Sequence, residues 1–125
     1  MSTNARIGFK NQDGSITSVY HHWDGYPEWL GKKLTEKYTD AVDIIGLLRG
    51  GDISCIDSDT DWNREKCAPR VLYYNERGEN TQPQRDKNLA EYLDNMDYSG
   101  AEYAYVFMGD IGWVCFDYNK DVVPM

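Results

Sequence analysis

The chain has 125 residues, with 21 acidic against 13 basic side chains, a net charge of −8 and a sequence pI near 4.6. This length makes one hydrophobic core and one domain over 1–125 the expectation, while 41% apolar residues with four Trp, ten Tyr and three Phe argue against a disordered chain. No apolar run approaches the roughly 20 residues of a membrane crossing, the start MSTNARIG lacks a signal core, and no basic run exceeds Lys32-Lys33; membrane insertion and direct phosphate binding to nucleic acid are disfavoured.

In chain order, a polar leader over residues 1–5 precedes Arg6–Lys10 and Ser15–Trp23. These flank Asp13-Gly14, a pair suited to the positive backbone angles of a hairpin turn. Period-two alternation puts Ile16, Ser18, Tyr20 and His22 on one side of the second strand, and Thr17, Val19, His21 and Trp23 on the other. Pro27 suits a helical first turn, and Leu30, Leu34 and Tyr38 predict a helix over 27–38. Thr39-Asp40 can cap a second helix with the stripe Val42, Ile45 and Leu48, closed by Gly50-Gly51.

Asp52–Ile56 reads as a short strand followed by a polar stretch over Asp57–Lys66, and Val71–Tyr74 as another strand before an exposed turn at Glu76–Asn80. Leu89, Leu93 and Met96 predict a third amphipathic helix within Asp86–Asp97. Glu102–Met108 and Trp113–Tyr118 form a C-terminal hairpin around Gly109–Gly112. The expected class is α+β: an antiparallel sheet with a hairpin at each end and about three helices packed on it.

The three cysteines, Cys55, Cys67 and Cys115, make neither an even disulfide set nor a C-x-x-C pair, which suits a reducing cytoplasm. Cys55 and Cys115 fall in strands as small apolar groups. Asp57, Asp59, Asp61 and Glu65 resemble half of a calcium loop, but Trp62 stands where that loop needs glycine and Ala68 where it needs a bidentate acid, so a solvated loop is expected. Arg64, Arg70, Arg77 and Arg85 are read as surface ion-pairing groups, with a phosphate-holding role if the fold gathers them.

The densest chemical cluster is His21–Trp29, two imidazoles, two carboxylates and three large aromatics in a strand-to-helix junction. Its binding candidates are His22, Trp23, Asp24, Tyr26, Glu28 and Trp29. Structurally, the rings plug the seam, Asp24 caps the helix and Gly25 makes the bend. As a binding surface, the same rings grip a partner loop or stack a base. As a catalytic site, His22 would be a base oriented by Asp24 or Glu28, although no nucleophile or phosphate-cradling glycine loop accompanies them. No cofactor or metal is called for.

Asp13–Ser15, Thr17-Ser18, Tyr20, the HWDGYPE run His22–Glu28, Gly51–Ser54, Tyr103–Phe107 and Gly112–Asp117 together resemble a family of small uncharacterised proteins of bacteriophages and mobile elements. That resemblance implies a genetic setting and no catalytic residues. With the small size, acidic balance, aromatic surplus and lack of a complete catalytic set, it leads to the expectation of a non-enzymatic protein that binds a host protein, as a counter-defence or host-takeover inhibitor, in the host cytoplasm. An acidic face that competes with nucleic acid for a basic groove is one form of this. The rivals are a nucleotide- or small-ligand-sequestering module and a small hydrolase using His22, Asp24 and Glu28. Open sheet edges also allow a homodimer.

Overall fold

A computed structural model of the chain describes residues 3–125. The opening hairpin pairs β1 (Ala5–Lys10) with β2 (Ile16–His21) in antiparallel register, Ile7 opposite Val19. Of the expected leader, residues 1 and 2 lie outside the described residues, and Ala5 already belongs to β1 and is fully buried.

The helix predicted over 27–38 is present in two parts, a π-helical turn Pro27–Gly31 running into α1 (Lys32–Lys37), with Leu30 and Leu34 buried. In α2 (Ala41–Arg49) the Asp40 carboxylate accepts the Asp43 N–H at 2.9 Å, so of the predicted Thr39-Asp40 pair it is Asp40 that caps. The buried face of α2 differs from the predicted stripe. Ile44, Leu47 and Leu48 are buried, whereas Val42 and Ile45 are exposed, because α2 docks one residue rotated from the Val42–Ile45 row.

The chain then enters a long antiparallel arm, β3 (Ile53–Thr60) and β4 (Lys66–Tyr73), followed by a 3-10 turn Tyr74–Arg77. The polar stretch expected after Ile56 therefore continues the strand, with register irregularities along it. A short β5 (Gln84–Asp86) leads to α3 (Leu89–Met96), capped by Asn88 and shorter than predicted because Asp86 is held in the sheet. The closing hairpin, β6 (Tyr103–Phe107) and β7 (Trp113–Asp117), matches its prediction and is extended by β8 (Val122–Val123).

These strands form one eight-stranded sheet in the order β4-β3-β2-β1-β6-β7-β8, with β5 also pairing β2. The fold is α+β, with three α-helices on a sheet that is mixed: β1 runs parallel to β6, and β2 to β3. The β2–β3 pair is joined by a crossover through α1 and α2, the kind of connection that parallel neighbours need. Two cores result. Ile7, Val19, Leu30, Leu34, Ile44, Leu47 and Ile53 fill the face covered by α1 and α2; Ile16, Tyr92, Met96, Ala104 and Val106 fill the face covered by α3. Among the described residues, no helix is long and apolar enough to cross a membrane.

Candidate functional site

Strand alternation separates the two histidines as predicted. His21 points into the α1/α2 core, fully buried, with its ring centroid 6.3 Å from that of Trp29. Neither ring nitrogen has a hydrogen-bond partner among the described residues. Burial, assisted by the nearby His22, lowers its pKa from 6.5 to about 3, so it is a neutral core residue.

His22 lies on the opposite face. Its Nδ1 is 2.8 Å from the Tyr20 hydroxyl, and its ring meets Tyr74 edge-on with centroids 6.5 Å apart. Its backbone is fixed where β2 meets β3: His22 N–H donates to Ile53 O at 3.0 Å and Trp23 N–H to Ser54 O at 3.1 Å. Burial raises the Tyr20 pKa, with Tyr74 and Asp52 adding to the effect, so the phenol stays protonated.

The segment after His22 is organised differently from the capped bend predicted. Asp24 is not the helix cap: Tyr26 occupies that position without a side-chain bond. Asp24 instead accepts the Thr3 N–H at 3.3 Å and the Tyr26 hydroxyl at 3.5 Å, tying the junction to the start of the chain. Gly25 is required by close approach, since a Cβ there would lie 2.7 Å from the Ala5 Cβ and 2.8 Å from Thr3 O. Its carbonyl accepts the Tyr105 hydroxyl at 2.7 Å. Trp29 is half-buried beneath the Lys33 ammonium, 5.7 Å from the ring centroid, so it belongs to the core seam. Trp23, 48% exposed, and Tyr26, 38% exposed, stand out in solvent, as does Glu28.

The β3–β4 arm brings in residues that sequence reasoning treated separately. Trp62, at the arm's tip, packs against Tyr74 with centroids 5.6 Å apart, and the Arg77 guanidinium lies 4.9 Å from the Trp62 centroid and 4.8 Å from that of Tyr74. Tyr20, His22, Tyr74 and Trp62 thus form a continuous run of half-buried side chains, with Arg77 over its far end.

Asp52 positions the run. Its carboxylate accepts Tyr20 N–H and its carbonyl accepts Tyr74 N–H, both at 3.1 Å. Glu76 fixes the following turn by accepting Tyr73 N–H at 3.0 Å and an Arg70 contact at 2.5 Å. Gly78, at φ +101°, closes it in a conformation that side chains disfavour. The sequence cue was the pairing of an aromatic-rich strand end with an Arg-Gly turn, but only the arm's length brings Trp62 back to Tyr74.

The remaining candidates are dispersed. Asp57 accepts Lys33 and Lys37, Asp59 pairs with Lys66, and Asp61 caps the arm's own turn by accepting Asn63 and Glu65 N–H. No group of three or more possible metal ligands converges among the described residues. Arg70, Arg77 and Arg85 pair with Glu76, Glu79 and Asp13 respectively, so each of these guanidinium groups is engaged by its own carboxylate. Burial pushes the Cys55 and Cys115 thiols up to about 11 and about 12, which leaves them protonated at neutral pH.

Compared with protein-family models, curated proteins and solved structures, the chain matches none.

Proposed function

We propose that the chain is a non-enzymatic interaction protein that docks a partner protein through the side-chain run Tyr20–His22–Tyr74–Trp62, its Arg77, and the exposed Trp23 that follows His22 in the chain. The phage or mobile-element resemblance of the HWDGYPE segment supplies the setting: a host protein whose activity is altered by being bound. The observation that carries this reading is the Trp62–Arg77–Tyr74 stack, because partly exposed Trp, Tyr and Arg held in fixed geometry are the residue types that dominate binding energy at protein interfaces. Their orientation is set by backbone bonds through Asp52 and Glu76, which limits the ordering cost on association.

Neither rival has comparable support. Stacking a base and holding its phosphates would require arginines gathered near Trp23, Tyr26 or Trp29, and those in ion pairs are tied to separate carboxylates. For the hydrolase, the contact observed at the His22 Nδ1 is a phenol, a group whose pKa is raised.

Affinity capture with the folded chain, alongside Trp23→Ala and Arg77→Glu variants, tests the proposal. The wild type should retain one stoichiometric protein, and each variant should weaken that complex by about tenfold or more. Equal retention by all three, or turnover of a substrate by the chain alone, would overturn it.

A further inference from the structure

On the face opposite that run, a cleft of about 300 Å³ opens between α2, the β1–β2 hairpin and the segment leading into β5. Its walls are predominantly apolar: Phe9, Ile45, Leu48 and Pro83. Ile45 is 44% exposed, so this part of α2 offers apolar surface to the cleft without committing it to the core.

Three polar residues line this surface: Asn11, whose amide is already engaged by Ser15 and Thr17, and Thr17 and Arg49, which meet it in a definite chemical sense. Arg49, in the last turn of α2, enters no ion pair among the described residues, unlike Arg70 and Arg77. Thr17 Oγ1 accepts the Asn11 amide at 2.9 Å, which leaves its own proton for a further acceptor. A guanidinium can only donate, and a hydroxyl whose oxygen is already engaged also favours donation. An apolar cleft with a few placed polar groups is the usual form of a small-molecule site, and this volume lies at the small end of that range.

We infer that this cleft binds a small carboxylate with an apolar body, the ring or chain lying along Phe9 and Ile45 and the carboxylate meeting Arg49 and Thr17. A carboxylate is acceptor-only and pairs with a guanidinium through charge-assisted hydrogen bonds. On a chain of net charge −8, an apolar anion would otherwise be repelled, so an unpaired guanidinium is the feature that admits it. This site lies apart from the Tyr74–Trp62–Arg77 surface and does not depend on it.

Titration of the full chain with naphthoate, followed by amide NMR, tests the inference, with uncharged naphthalenemethanol as the matched control. Naphthoate should shift resonances of Phe9, Thr17, Ile45 and Arg49, and bind more tightly than the alcohol. Arg49→Gln, at an exposed position, should weaken naphthoate by about tenfold while leaving the alcohol unchanged. The inference is overturned by absence of shifts at millimolar naphthoate, by equal binding of acid and alcohol, or by an Arg49→Gln variant that binds naphthoate as the wild type does. Concentration-dependent shifts of the same residues without ligand would assign the cleft to a second copy and overturn it as well.

Discussion

His21 gives the molecule a pH dependence that can be derived from one side chain. Its folded pKa, about 3, lies below the usual 6.5, so between these values the unfolded chain binds a proton that the folded chain refuses. Stability therefore rises with pH through this window: the penalty is absent above about 6.5 and grows on acidification, by up to about 1.4 kcal/mol per unit. Between pH 6.5 and 5, urea unfolding should show the wild type losing roughly 1.5 kcal/mol more than His21→Leu. A leucine variant with the wild-type slope would refute this origin. Gly25 makes a steric prediction. Gly25→Ala forces a Cβ against Ala5 and the Thr3 carbonyl and should cost about 1–3 kcal/mol in the same assay. The opposite orientations of His21 and His22 were legible from strand alternation alone. Asp24 was not, because the Thr3 N–H that it accepts comes beside it only when the chain start folds against the junction.

At the scale of elements, α2 shows where periodicity under-determines packing. Val42, Ile45 and Leu48 have helical spacing, but Ile44 and Leu47 compete with them, and the contact with β1 and β2 selects the second row. Ile44→Ala should cost about 2–5 kcal/mol and Ile45→Ala less than about 0.5, measured by thermal or denaturant unfolding. Both hairpins were legible because each has glycine in its connection and β-prone flanks. The proximal ends of the β3–β4 arm were legible as short strands, but its distal half was hidden because it is polar and exposed, with Pro69 within β4, features that suit an edge strand and blur the alternation that betrays a buried one. Asp52 links the arm to β2. Asp52→Ala removes the acceptor of Tyr20 N–H while leaving the backbone bond to Tyr74, and should loosen Tyr20 and His22 first, visible as faster amide exchange there than in β6.

Across the whole molecule, the sheet divides its tasks between faces. One face buries the α1/α2 core, with His21 and Trp29 in its seam; the other packs α3 over its central strands and presents the aromatic run towards the β4 edge. The α+β class could be read from the succession of periodicities, while the parallel pairings could not, since strand order depends on contacts between distant segments. With a net charge of −8, association with a basic partner should be electrostatically steered, its rate falling as salt rises while dissociation changes less. The most direct test of a docking surface is hydrogen–deuterium exchange on the chain before and after it binds its captured partner. The account predicts new protection concentrated at Tyr20–Trp23, around Trp62, and through Tyr74–Arg77. Protection confined to α2, α3 or the closing hairpin, with those segments unchanged, would contradict it.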